Sequence, residues 1–239
     1  YEAYSLLNFG IDTGGYSNPV YLVAWGSGMS ALNTYLMMPF IAIFGLSTFA
    51  IRIPQFLLSV ATLVFTYLFV TKVVNKKTGL IALGLLATCP WHILMSRWGM
   101  DCNMAPGLLL IAAYFTLLSA EKNKYLIPAA IFYGLSLYSY ATIWVIIPFI
   151  IIAEGVYLIY TKKISINIYS IISVAILFVL ALPLLLFGLV NTGHMNEIRS
   201  SVISIPKLLY FRAGEVSFDD MLKKALNLWD IFKNQSDNL

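Results

Sequence analysis

The sequence predicts an all-α protein, a polytopic transmembrane helix bundle with six spans and juxtamembrane helices on its outer face. Three observations predict it. Hydrophobic residues make up 60% of the 239 residues, charged residues 11%, and mean hydropathy is +0.82; a soluble domain carries about 25% charged residues. Apolar runs close to the ~20 residues that cross a bilayer follow one another from residue 54 to residue 190. The turns between alternate runs hold the lysines.

Residues 1–53 read as a first outer loop. Within it, 35–45 (YLMMPFIAIFG) is apolar but only about half a span, which predicts a juxtamembrane or re-entrant helix. Spans are predicted over 54–74, 79–95, 104–119, 125–139, 141–160 and 166–190. Lys72, Lys76 and Lys77 follow the first, Lys122 and Lys124 the third, and Lys162 and Lys163 the fifth. Cytoplasmic loops gather Lys and Arg. With all three turns in the cytosol the alternation closes, and Arg52 and Arg97 fall outside. Residues 191–239 then form the start of a long outer loop. Leu222, Ala225, Leu226, Trp229 and Phe232 repeat there at helical spacing, predicting an amphipathic helix over 218–233 on the membrane surface.

The net charge of +4 is scattered in twos and threes, with no basic face for nucleic acid. Cys89 and Cys102 are too few and too far apart for a zinc site or a disulfide framework. The chain opens at Tyr1 with no initiator Met and no signal peptide, and it stops in a polar stretch at Leu239. It reads as a piece of a longer protein.

Charge is scarce enough that its placement is informative. The turn 90–103, PWHILMSRWGMDCN, carries His92, Arg97 and Asp101 between two apolar runs. On the predicted topology it faces outward. There it meets loop 1–53, with Glu2, Tyr4, Asp12, Tyr16, Trp25 and Arg52, and loop 191–239, with His194, Glu197, Arg199, Lys207, Arg212 and Glu215. Carboxylates, guanidinium groups and aromatic rings at a membrane surface suit transfer of a sugar carried on a lipid phosphate. Arg grips phosphate with parallel donors and stabilises it as a leaving group. A carboxylate takes the proton of the acceptor hydroxyl, and aromatic rings stack on sugar. Asp101 and Glu2 are the candidate catalytic acids; Arg97, Arg212, His92, Asn103 and Tyr4 are the candidate substrate-binding residues. Each has a structural reading beside it. Asp101 caps the helix that starts near Met104, Arg97 and Arg52 anchor to headgroups, His92 packs inside its helix, and His194 and Glu197 are solvated. Glu154 lies within a span on the lysine side, where a hydrogen-bonded structural role fits it best.

Three stretches carry a resemblance. Pro39-Phe-Ile-Ala-Ile-Phe-Gly-Leu-Ser-Thr-Phe-Ala-Ile-Arg52-Ile-Pro54 resembles the P…FG…R-P signature of GT-C fold membrane glycosyltransferases, among them protein O-mannosyltransferases and the lipid A aminoarabinose transferase. Pro90 to Asp101 resembles the acid-bearing outward turn of the same superfamily, and Tyr1-Glu-Ala-Tyr-Ser-Leu-Leu the tail of its first outer loop. The resemblance covers most of residues 1–212. It implies an integral protein of a plasma membrane, with a bacterial pattern, that moves a sugar from a polyprenyl phosphate to a protein or glycan acceptor on the extracytoplasmic face. The family's Asp-Glu pair early in the first outer loop has no counterpart from Tyr1 onward. Either it precedes Tyr1, or Glu2 stands in for it, or the protein is inactive. No cofactor is written into the sequence, and a divalent metal ion at the acids stays open. Two other classes compete: a transporter or flippase of a lipid-linked substrate, and a non-catalytic membrane subunit. Transporters tend to show charged or broken helices near the midplane and internal repeats; this chain offers Glu154 alone and no repeat.

Overall fold

The computed structural model describes residues 1–24, 27–161 and 167–211. Arg212, Trp25, the turn with Lys162 and Lys163, and the predicted amphipathic helix at 218–233 lie outside the described residues.

The chain starts with helix α1 (Glu2–Phe9), which Gly10 ends in the left-handed conformation at φ 71°. A hairpin follows, β1 (Tyr21–Ala24) paired antiparallel with β2 (Ser27–Ser30), Tyr21 opposite Ser30 and Val23 opposite Gly28. This hairpin is an addition to the all-α expectation. Helix α2 (Leu32–Phe44) covers the apolar half-span at 35–45. Helix α3 (Thr48–Val73) begins where the Ser47 hydroxyl accepts the N–H of Ala50 at 3.2 Å. Asn75 caps α4 (Lys76–Thr88) in the same way, and Asn167 caps α9 (Ile168–Asn191).

The predicted span 79–95 is two helices. Proline lacks an N–H and forces the residue before it out of the helical region. Cys89 is extended (φ −65°, ψ 118°) ahead of Pro90, so α4 stops and α5 (Pro90–Arg97) leaves at a 60° bend. A short 3₁₀ turn, Asp101–Met104, leads into α6 (Ala105–Ser119). The predicted span 125–139 contracts to α7 (Leu126–Leu137), about 18 Å long at 1.5 Å per residue. Ser136 and Ser139 hydroxyls turn back onto the carbonyls of Tyr133 and Ser136 at 2.7 and 2.6 Å as the helix ends. Helix α8 (Ile143–Tyr160) completes the set.

Three helical segments are long and apolar enough to cross a membrane: Thr48–Val73, Asp101–Ser119 and Ile168–Asn191, with the bent pair α4–α5 a fourth. Helices α2 and α8 fall short of that length over their described residues. Six full-length spans are therefore not all present as single helices.

Helix α7 is the central element, packed between α6 and α9 and buried through Ala129, Ala130, Tyr133, Gly134 and Leu137. Its approach to α9 depends on Gly134, where a Cβ would lie 2.3 Å from Leu180 Cδ1. Small residues let helices close in this way. With the bent pair α4–α5 taken as one pass, the helices from α3 to α9 run back and forth, so their connections collect at two ends. Lys72 pairs with Glu121 at one end, which also holds Lys76, Lys77, Lys122 and Lys124. The opposite end holds the first loop, the Asp101 turn, the end of α7, where Tyr138 O accepts from Leu32 N–H at 3.1 Å, and the segment after α9.

Candidate functional site

The end opposite the lysines is assembled from chain segments far apart in sequence. The Asp101 carboxylate accepts two main-chain N–H groups, that of Ser30 on Oδ2 at 3.1 Å and that of Cys102 on Oδ1 at 2.9 Å. Its turn is therefore fastened to the hairpin of the first loop. Two further side chains hold the same turn: Asn33 Nδ2 donates to Gly99 O at 2.9 Å and Gln55 Nε2 to Asn103 O at 3.2 Å. Asn103 closes the turn from inside, its amide donating to Trp98 O at 2.8 Å and Met95 O at 3.4 Å.

Tyr21 faces Ser30 and Asp101. Burial pushes its phenol pKa up, and the neighbouring Asp101 charge pushes the same way. Its ring lies tilted against Phe187 at 4.7 Å and edge-on to Trp144 at 5.7 Å, joining the hairpin to the end of α9 and the start of α8. Gly28 makes this geometry available, because a Cβ there would sit 2.6 Å from the Tyr21 ring.

The other acids occupy a second cluster. Glu2 grips Thr13, accepting its N–H at 2.9 Å and its hydroxyl on the other oxygen. Asp12 is only 2% exposed. Its Oδ1 accepts the Tyr16 N–H at 2.7 Å, and its Oδ2 has no hydrogen-bond partner among the described residues. Burial raises its pKa, the Glu2 charge adds to this, and the Tyr16 N–H opposes it. Next to it, Tyr16 donates to Glu197 Oε2 at 2.8 Å, Arg199 donates to Glu197 Oε1 at 3.0 Å, and the guanidinium lies 4.5 Å over the Tyr16 ring. Glu197, expected as a solvated residue, is in this pairing. With the bridge between Pro19 and Ser204, the trio fastens the segment after α9 to the first loop.

The remaining predicted site residues sit apart from these contacts. Tyr4 projects from α1 and is 40% exposed. His92 is half-buried on α5, and Arg97 is exposed at its end with no ion pair among the described residues. Arg212 lies outside the described residues. Neither a hydrogen bond nor an ion pair joins Glu2 to Asp101 among the described residues; the structure gives Glu2 Asp12 as its acidic neighbour. No three His, Cys, Asp or Glu side chains gather as a metal shell among the described residues. Glu154 accepts a hydrogen bond from Tyr133 at 2.9 Å inside the bundle, the partner an intramembrane acid requires. Asn33, Gln55 and the hairpin are the elements around the Asp101 turn that sequence reading missed.

Glu2, Asp12, Asp101 and Glu197 thus lie at one end of an apolar helix bundle with segments apolar and long enough to cross a membrane. A family model described as dolichyl-phosphate-mannose-protein mannosyltransferase matches residues 30–187, a stretch that includes Ser30, Asn33, Gln55 and Asp101. The chain belongs to this family and is a GT-C membrane glycosyltransferase of the mannosyltransferase type. No curated protein and no solved structure matches the chain.

Proposed function

We propose that the protein transfers a hexose or pentose from a polyprenyl-phosphate donor to a protein or glycan acceptor on the extracytoplasmic face of a plasma membrane. The observation that carries this reading is the hydrogen bond from Ser30 N–H to Asp101, 3.1 Å long, at the end of the bundle away from the lysines. It brings the first loop against the acid-bearing turn, as sugar transfer by residues of both requires. In this reading α7 and α8, though short, complete a six-pass topology with the lysine end in the cytosol.

Transfer follows an inverting course. Asp101 accepts the proton of the acceptor hydroxyl as that oxygen attacks the anomeric carbon, and the polyprenyl phosphate leaves with the bonding electron pair. Two main-chain N–H groups orient the carboxylate and leave a lone pair free on each oxygen. Arg97 and Arg212 bind the donor phosphate and stabilise the charge that develops on it. Tyr4, His92 and Asn103 border the sugar. Glu2 holds Thr13 and shapes the acid-lined wall around Asp12.

The test is transfer of a labelled sugar from a synthetic polyprenyl-phosphate donor in vesicles of known orientation, with single cysteines at Lys76 and Trp98 reporting sidedness. Transfer on the face where position 98 is labelled, with position 76 labelled from the other face, is the expected result. Labelling of both positions from one face, or no transfer from any lipid-linked donor, contradicts the proposal.

A further inference from the structure

We infer that Asn33 and Gln55 are positioning residues for the Asp101 carboxylate, holding the two ends of its turn through their side-chain N–H groups. The inference rests on the sugar-transfer reading of Asp101. Three elements converge on five consecutive residues. From α2, Asn33 donates to Gly99 O at 2.9 Å; from α3, Gln55 donates to Asn103 O at 3.2 Å; from β2, Ser30 N–H donates to Asp101 Oδ2 at 3.1 Å. Asp101 is the middle residue of the five, two positions from each anchored carbonyl. With Cys102 N–H on Oδ1 at 2.9 Å, neither the backbone of the turn nor the plane of the carboxylate rotates independently of the first loop.

The burial of the two amides argues that their N–H groups are the reason for their presence. Asn33 is 6% exposed and Gln55 2%. Each leaves its own side-chain oxygen buried without a hydrogen-bond partner among the described residues. An apolar residue would fill either position without that cost. What it would not supply is a donor to a carbonyl of the turn: Asn103 ties the turn to Trp98 O from within, and only Asn33 and Gln55 tie its carbonyls at Gly99 and Asn103 to α2 and α3. Positioning of this kind matters because a displacement of about 1 Å at a reacting group costs on the order of a hundredfold in rate.

The test uses Asn33→Leu and Gln55→Met in the full chain with Cys89→Ser, which leaves Cys102 as the thiol beside Asp101. Two readouts are taken: the rate of Cys102 labelling by a small maleimide in detergent, and kcat and KM for sugar transfer. Cys102 labelling is expected to rise severalfold in each variant, and kcat to fall about ten- to a hundredfold with KM little changed. Unchanged labelling, or faster labelling with unchanged kcat, overturns the positioning role. A wild-type chain that transfers no sugar counts against the functional reading instead, and the labelling arm then decides the clamp alone. Where one variant does not fold, the other carries the same comparison, since the two amides hold opposite ends of the turn.

Discussion

Adding one methyl group at Gly28 is expected to disturb the candidate site from behind. A Cβ at this position would lie 2.6 and 2.8 Å from Tyr21 Cε1 and Cδ1, and 2.9 Å from Leu22 O. Carbon atoms settle at about 3.5–4.0 Å, so the Tyr21 ring must retreat by roughly 1 Å. The ring has little room, with Phe187 4.7 Å away and Trp144 5.7 Å away. The backbone oxygen of Leu22 gives way only if β1 and β2 separate. Overpacking of this kind costs about 1–3 kcal/mol. The hairpin carries Ser30, whose N–H holds Asp101, so the same movement reaches the carboxylate. Gly28→Ala is measured by thermal unfolding in detergent, Trp144 fluorescence and transfer rate. Gly84→Ala on α4 is the control, because nothing lies within 4 Å of its Cβ and alanine favours a helix by about 1 kcal/mol. Gly28→Ala is expected to unfold at lower temperature than the wild type and to lose transfer, while the control does neither. Equal stability and equal transfer in the two variants would refute the close packing of Tyr21 on the hairpin and its link to Asp101.

Three further outcomes follow from the geometry. Burial raises the Asp12 pKa above its ordinary 3.8, so the folded state holds that proton more tightly than the unfolded chain and stability falls as pH rises through the window above 3.8. Asp12→Asn keeps an acceptor for Tyr16 N–H and should flatten the fall, measured as unfolding midpoint against pH; an unaltered slope counts against a buried, protonating Asp12. Glu197 titrates in the opposite sense, because the Tyr16 hydroxyl, helped by Arg199, lowers its pKa below the ordinary 4.5. Its contribution is present above 4.5 and lost as pH falls through the lowered value, so acid should speed proteolytic nicking of residues 197–204 in the wild type and change it little in Glu197→Gln. Gly134→Ala places a Cβ 2.3 Å from Leu180 Cδ1 and should cost about 1–3 kcal/mol, recovered in part when Leu180→Ala makes room; no loss in the single variant would remove the α7–α9 close approach.

Charge was the legible part of this sequence. In a chain with 11% charged residues, the lysines of alternate turns mark one end of the bundle, and Asp101 falls at the other, against residues of the first loop. The family was legible too, in the run from Pro39 to Pro54 and the turn from Pro90 to Asp101, both inside residues 30–187. What stayed hidden was set by uncharged residues. The strand Tyr21–Ala24 is four residues long and bears no charge, so its pairing with Ser27–Ser30 leaves little pattern. Asn33 and Gln55 are single amides beside apolar runs, and only their contacts distinguish them from ordinary helix-entry residues. Apolar length alone also joined α4 to α5 across Cys89-Pro90, although the proline was in plain view, and stretched α7 past the serines that end it. Glu2 drew attention as a stand-in for the superfamily's Asp-Glu pair; the structure places it on Thr13 beside Asp12.

Sugar transfer by Asp101→Asn in the full chain tests the account most directly. Asparagine keeps an oxygen for the Ser30 N–H, 3.1 Å from the carboxylate in the wild type, and removes the charge that takes up a proton. Removal of a general base lowers rate by about 10²–10⁴-fold. The account predicts a fall of that size in kcat from a polyprenyl-phosphate donor, with the chain still folded. A variant that transfers sugar at the wild-type rate would contradict it.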